Sequence, residues 1–251
     1  MEPDQVGRDP LTGSLETVSQ IASTNTELLA RVGRGDLPFE GNWLVADRQS
    51  AGRGRAGRVW NDGFGNFMGS TVAWLRAGDP PAPTLSLVAG VAVIRALHDV
   101  CGLLSGAILK WPNDVLVRGA KLAGILLERQ GDCIVVGIGV NLVLAPEVEG
   151  RETVSLASLG HAVSRDSFAF ALSAQWRSAL ECWHRGEWPS LREDWLAYAH
   201  RKGTLLSVRD PSGGAIMGGF AGLTPDGAAL LHLADGQRRA IHAGDIELVG
   251  E

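Results

Sequence analysis

Residues 107–142 read AILKWPNDVLVRGAKLAGILLERQGDCIVVGIGVNL. Four short apolar runs stand in a row here: Ala107–Lys110, Asp114–Val117, Lys121–Glu128 and Cys133–Val140. Between them lie Pro112, Arg118-Gly119 and Gln130-Gly131-Asp132, residues that turn a chain back on itself. The pattern predicts strands joined by tight turns. Gly137-Ile138-Gly139 superficially resembles the start of a dinucleotide fingerprint, but the third glycine and the following helix are missing, so a Rossmann unit is excluded. A strand with two glycines reads either as a β-bulge or as backbone laid against a flat ligand, with Asn141 at its end. Gly124 inside the preceding strand poses the same choice.

Working outward, Ser23 or Thr24 caps a predicted helix that carries Leu28, Leu29 and Val32 to Gly33. Trp43–Ala46 and Asn66–Leu75 read as strands. Pro83 opens a helix running to about Val100, with Leu87, Val91, Ile94 and Leu97 on one side. Residues 143–153 read as a loop, and helices follow near Ser167–His184 and Pro189–His200. Residues 1–13 read as a frayed start. From Gly203 the chain changes character. Four or five short β segments are divided by Asp210-Pro211-Ser212-Gly213-Gly214, Thr224-Pro225-Asp226-Gly227 and Ala234-Asp235-Gly236, which predicts a small barrel. The expected domains are therefore 1–202 and 203–251.

The 251 residues carry a formal net charge of −5, with 45% apolar and 20% charged residues. This composition suits a soluble globular protein and argues against a general nucleic-acid binder. No apolar run is expected to cross a membrane, and Met1-Glu2-Pro3-Asp4 lacks the basic start and apolar core of a signal peptide. Three widely spaced cysteines point to reduced thiols and a cytoplasmic setting. No Cys or His spacing fits structural zinc, and no nucleophile motif is present.

Against this acidic background, residues 47–60 concentrate positive charge. Arg48, Arg53, Arg55 and Arg58 alternate with Gly52, Gly54 and Gly57, and Trp60 closes the segment. Glycine lets backbone N–H groups approach an anion, and arginine supplies forked donors suited to phosphate or carboxylate. The loop predicts an anion site. Lys110-Trp111-Pro112-Asn113-Asp114 reads either as a polar turn with a buried Trp111, the reading these residues favour by themselves, or as a turn in which Asp114 holds a cation. Lys121 is either a strand-end surface charge or a cation aimed into a pocket. Ser23-Thr24-Asn25 is either a helix cap or a set of donors and acceptors for a ligand.

The order of these blocks closely resembles biotin protein ligases over about residues 15–250. Ser23-Thr24-Asn25, the Gly-Arg-Gly-Arg segment, Lys110–Asp114, Lys121–Leu126 and Gly137–Asn141 follow one another with the family's spacing. The resemblance implies an α+β fold of the class II aminoacyl-tRNA synthetase/biotin ligase type, a mixed sheet backed by helices, with a C-terminal SH3-like barrel. It implies an enzyme that joins biotin and ATP, with Mg²⁺, into biotinyl-5′-AMP and passes the biotinyl group to a lysine of the biotin carboxyl carrier of an acyl-CoA carboxylase. By resemblance, Ser23, Thr24, Asn25 and Gln49 contact the biotin head, and Arg53, Gly54 and Arg55 cover the biotin carboxylate. Lys121 reaches that carboxylate and the α-phosphate, so Arg55 and Lys121 are the expected catalytic pair. Gly52, Arg53, Arg55, Arg58, Trp60, Lys110, Asn113, Lys121 and Asn141 form the expected nucleotide site. Gly124 and Gly139 line the cavity, and Asp114 is the expected magnesium ligand. The aliphatic tail of biotin would lie along Trp60 or Trp111. The loop departs from the family at Ala56, where many relatives have a basic residue. The Ser-Thr-Asn block at residue 23 leaves no room for the DNA-binding winged helix of regulatory members, so no DNA partner is expected. Alternatives are a lipoate–protein ligase and a non-catalytic biotin or nucleotide sensor. Monomer and homodimer both remain open.

Overall fold

The computed structural model describes residues 7–9, 13–61, 63–209, 215–244 and 246–248. Eight strands, β1 (Gly7–Asp9), β2 (Gly13–Ile21), β3 (Trp43–Gln49), β4 (Phe67–Trp74), β5 (Ala107–Lys110), β6 (Asp114–Val117), β7 (Ala120–Gln130) and β8 (Cys133–Val140), form one sheet in the order β1-β2-β3-β4-β8-β7-β6-β5. The β5–β8 meander is the one the turn residues dictate. Arg118 and Gly119 both take positive φ (52° and 85°), which a tight hairpin turn requires. The sheet is mixed because β2 runs parallel to β3 while every other neighbouring pair is antiparallel. A parallel pair needs a crossover, and helix α1 (Thr24–Gly33) supplies it. Of the predicted frayed start, residues 1–6 and 10–12 lie outside the described residues; Gly7–Asp9 differ from it by pairing with β2 through Gly7↔Leu15, and β2 is a strand that the sequence reading does not contain.

Both faces of the central strands are covered, and alternation along β8 shows how. Ile134, Val136, Ile138 and Val140 point into the large core, built with α2 (Thr84–Cys101) and α3 (Arg165–His184). Cys133 and Val135 point the other way, into a smaller cluster with Leu28 of α1, Leu44 and Val72. Continuing on that second face, β8 offers only Gly137 and Gly139. Beyond the N-terminus of α1, β8 is therefore bare of side chains on this face, and a hollow opens there. α2 is 18 residues long with a mean hydropathy of 1.5, so by length and composition it could cross a membrane, contrary to the expectation from sequence. It is the core helix instead: 72% of it is buried among its neighbours.

Helix α4 (Trp188–Ala197) leads to a second, all-antiparallel sheet of β9 (Leu205–Arg209), β10 (Ala215–Leu223), β11 (Ala229–His232), β12 (Arg238–Ile241) and β13 (Ile246–Leu248), in the order β12-β11-β10-β9-β13. The expected barrel is not closed: among the described residues β12 pairs with β11 alone and β13 with β9 alone. The predicted turn at 210–214 lies outside the described residues. The turn at Thr224–Gly227 docks on the main body, where its carbonyls accept from Trp111 Nε1 (Gly227 O, 3.0 Å) and Trp188 Nε1 (Pro225 O, 2.7 Å). Gly227 has φ +84°, and a Cβ there would stand 3.0 Å from Thr84 Cγ2, so only glycine suits the position. All three cysteines are free.

Candidate functional site

The hollow beyond α1 is a cavity bounded by the α1 N-terminus, the middle of β4, β7 and β8, the Arg/Gly loop and residues 146–153. Its deep end is polar. Ser23 caps α1 by accepting from Thr26 N at 3.4 Å. Thr24 donates its backbone N–H and its hydroxyl to Gln49 Oε1 (2.8 and 3.1 Å). The Thr24 hydroxyl also lies 2.6 Å from Ser70 Oγ, which donates to Asn25 Oδ1 at 2.6 Å. Asn25 Nδ2 donates to Glu128 Oε2 at 3.0 Å, and the other Glu128 oxygen pairs with Arg53 NH2 at 2.8 Å. Ser23, Thr24, Asn25 and Gln49 are all buried. A Cβ at Gly137 would fall 2.2 Å from Asn25 Oδ1, so the bare strand is what admits the asparagine. These groups form a fixed array of hydroxyls and amides.

The Arg/Gly loop is a compact hairpin folded across the opening. Trp60 N–H donates to Gly52 O (3.0 Å), Gly54 N–H donates to Arg58 O (2.8 Å), and Arg53 bridges Val59. A short 3₁₀ turn at Arg55–Gly57 forms its tip, with Ala56 at φ +54°, a left-handed conformation costly to a residue with a Cβ. Arg55 NH1 donates to Asn113 Oδ1 (3.3 Å), and Asn113 Nδ2 in turn donates to Ile125 O (2.7 Å). The chain thereby tethers its flap at Glu128 and at Asn113. Trp60 turns inward, and a Cβ at Gly139 would be 2.3 Å from its ring, one at Gly124 3.0 Å. The glycines do serve a flat group, and that group is the chain's own indole. β8 keeps its register across Gly137 and Gly139, which removes the β-bulge reading.

The other end of the cavity is cationic. Lys121 Nζ lies 2.6 Å from Asp114 Oδ1 and 5.7 Å from the centre of the Trp60 ring. Arg151 NH1 lies 3.3 Å from Asp114 Oδ2. Burial pushes the Lys121 ammonium below the ordinary lysine range, with Asp114 opposing and Arg151 and Arg58 adding to the shift. Burial also lowers Arg55, which Asp114 counters and Arg58 reinforces. Lys121 and Arg55 lack part of their water shell, and Lys121 and Arg151 share one carboxylate, Asp114. An incoming anion would relieve that repulsion.

Of the expected residues, Ser23, Thr24, Asn25, Gln49, Arg53, Gly54, Arg55, Arg58, Trp60, Asn113, Asp114, Lys121, Gly124, Gly139 and Asn141 all line this cavity. Gly52 and Lys110 do not. A Cβ at Gly52 would meet Trp60 O at 2.5 Å, so this glycine lets the hairpin close. Lys110 pairs in register with Asp114, and burial lowers its pKa, but its side chain lies off the lining. Trp111 is core, 4% exposed, and bonded to the second sheet, so it offers nothing to a ligand's tail. The expected magnesium role of Asp114 gains no support: Lys121 and Arg151 pair with its two oxygens in this structure, and among the described residues no group of three His, Cys, Asp or Glu could hold a metal. Sequence reading missed Ser70, Glu128 and Arg151 as parts of the site. Ser70 and Glu128 share β-strand parity with cavity neighbours (Met68, and Leu126 with Gly124), a signal that could have found them. Arg151 sits in an aperiodic loop that gives no such signal. Asn141 Nδ2 donates to Lys121 O and Val154 O, while Asn141 Oδ1 and Trp60 Nε1 are buried with no hydrogen-bond partner.

Residues 18–141 match the biotin/lipoate A/B protein ligase family, and residues 207–249 match the biotin protein ligase C-terminal domain. The chain is 38% identical over 218 residues to the biotin–[acetyl-CoA-carboxylase] ligase of Paracoccus denitrificans, covering 81% of this chain and 89% of the relative. It is 34% identical over 250 residues to the enzyme of the same name from Mycobacterium tuberculosis, covering 95% and 92%. The biotin protein ligase of Aquifex aeolicus in complex with biotin and ATP superposes with a TM-score of 0.81 at 26% identity, covering 94% of this chain and 99% of that one.

Proposed function

The chain belongs to the biotin/lipoate A/B protein ligase family, and from that membership we propose that it is a biotin–[biotin carboxyl-carrier protein] ligase. It activates biotin with ATP and transfers the biotinyl group to a carrier lysine of an acyl-CoA carboxylase. One observation carries the reading. A single cavity joins a buried array of hydroxyls and amides to a cluster of half-desolvated cations.

The two ends suit the two parts of biotin. Its head has two N–H donors and a carbonyl acceptor, which Ser23, Thr24, Asn25 and Gln49 can match with fixed acceptors and donors. Leaving one such group unpaired would cost about 1–3 kcal/mol. A lipoyl ring has no such groups, so the buried array favours biotin over lipoate. The carboxylate of biotin then lies toward Arg53, Arg55 and Lys121. In the first step a carboxylate oxygen attacks the α-phosphorus of ATP, a new P–O bond forms, and the bond to the β-phosphate breaks with its electrons leaving on pyrophosphate. Two anions must approach each other, so the barrier is largely electrostatic, and Lys121 and Arg55 neutralise the charge that builds up. The tethered hairpin keeps water from the mixed anhydride. In the second step the carrier's lysine amine attacks the acyl carbon, AMP departs, and the amine proton passes to solvent. No protein nucleophile is needed. We assign magnesium no residue, because among the described residues no group of three His, Cys, Asp or Glu could hold a metal. We assign this chemistry to residues 1–202 and treat 203–251 as a companion domain.

Incubation with biotin, MgATP and a purified carrier domain, followed by intact-mass measurement, tests the reading. The expected result is a carrier heavier by one biotinyl group, unaffected by excess free lipoate. A carrier of unchanged mass, or lipoate in place of biotin, overturns it.

A further inference from the structure

Arg151 belongs to an aperiodic segment, yet the fold holds it beside the reacting centre. Lys121 N–H donates to Glu152 O (2.9 Å) and Val154 N–H donates to Lys121 O (3.0 Å), so the segment is stitched to the very residue that carries the buried lysine. That pairing delivers the Arg151 guanidinium to one oxygen of Asp114 while the Lys121 ammonium takes the other. One negative charge thus serves two positive charges, with Arg55 also in its field. The two cations are not equivalent. The Lys121 side chain is 14% exposed and lies against Trp60 on the cavity floor, whereas that of Arg151 is 30% exposed. Arg151 therefore stands nearer the mouth.

A bound nucleoside triphosphate has the same asymmetry. Its α-phosphate must sit at the reacting carboxylate, and its β- and γ-phosphates extend outward and carry most of the charge. We propose that Arg151 binds the β- and γ-phosphates of ATP and stabilises pyrophosphate as it leaves, giving up Asp114 for phosphate oxygens so that Asp114 holds Lys121 alone. The forked guanidinium suits two phosphate oxygens at once. When the Pα–O bond breaks, the electron pair goes to the bridging oxygen of pyrophosphate and Arg151 offsets its charge without exchanging a proton. This rests on reading the cavity as the site of biotin adenylation.

The test uses the full chain and the variants Arg151→Met and Arg151→Lys. It measures KM for ATP, KM for biotin, the inhibition constant of inorganic pyrophosphate, and single-turnover transfer from preformed biotinyl-5′-AMP to a carrier domain. Arg151→Met is expected to raise the ATP and pyrophosphate constants roughly tenfold, the loss of one charged hydrogen-bonding group. Biotin KM and transfer should stay within about twofold, because neither involves pyrophosphate. Arg151→Lys should recover part of the loss. Unchanged ATP and pyrophosphate constants overturn the proposal, as does an equal rise in biotin KM, which would mean that Arg151 only props Asp114. Should the Met variant not fold, the Lys variant decides: it keeps the charge but loses the fork, and an unaltered pyrophosphate constant refutes the role. Wild-type chain that releases no pyrophosphate from biotin and ATP overturns the adenylation reading instead.

Discussion

Lys121 carries its charge where water is scarce, and that makes its protonation a point of control. Burial lowers its pKa from the ordinary value of 10.5, more than Asp114 raises it. The protonated form supplies the charge that lets two anions meet. As pH rises through the lowered pKa that charge is lost, so adenylation should decline at alkaline pH, with its midpoint below 10.5. Arginine stays protonated far above that range. Lys121→Arg should therefore move the alkaline limb upward, whatever it does to the maximal rate. A pH profile of pyrophosphate release checks this, and an unmoved limb assigns the decline to another group. Lys121 was legible in the sequence as a cation at the head of an apolar strand, but only as one of two readings. Its choice between surface and pocket depended on Asp114 and Arg151, a hairpin and a loop away. The Glu128 tether of Arg53 was hidden for the same reason: a long-range ion pair leaves no periodicity.

At the level of elements, the site exists because β8 stops presenting side chains halfway along one face. Cys133 and Val135 meet α1, and then Gly137 and Gly139 give way to Asn25 and Trp60. Gly137→Ala would drive a methyl group to 2.2 Å from Asn25 Oδ1 and push that side chain off its bonds with Ser70 and Glu128. The expected outcome is a KM for biotin raised roughly tenfold, equivalent to losing about one buried polar contact, with a much smaller change in KM for ATP. Steady-state kinetics in both substrates measures the split, and an equal effect on the two would place Asn25 outside the biotin end. The meander from β5 to β8 could be read from sequence because turn chemistry and apolar runs are local. The same local reasoning failed at β1 and β2. Glycine and proline near the start look like fraying, and pairing with β3 is a long-range event that composition does not announce.

Across the whole molecule, the two sheets share a seam at the Thr224–Gly227 turn. Trp111 reaches it from beside the site, through an indole N–H to Gly227 O, and Trp188 reaches it from α4. Trp111→Phe keeps most of the packing and removes the donor, leaving a buried carbonyl unpaired. The expected loss is about 1–3 kcal/mol of unfolding free energy. Denaturant titration would read it as a lower midpoint at an unchanged slope, and no loss would mean the seam is held by packing alone. Lys110 lies close to the same seam, within the field of Glu247 of β13, so the second sheet is an electrostatic neighbour of the site. That the chain ends in short strands was plain from its turn signals. That β12 and β13 do not pair with each other among the described residues was not, because edge pairing is long-range and no local pattern encodes it.

The chain has eight tryptophans, and Trp60 alone among them lines the cavity. Its ring faces bare glycine backbone and a buried lysine, and its own indole nitrogen has no hydrogen-bond partner. The protein therefore carries its own optical probe. Excited at the indole band, this residue should change brightness or colour as a vitamin or nucleotide enters, while the other seven hold a steady background, so occupancy can be followed in real time without a label.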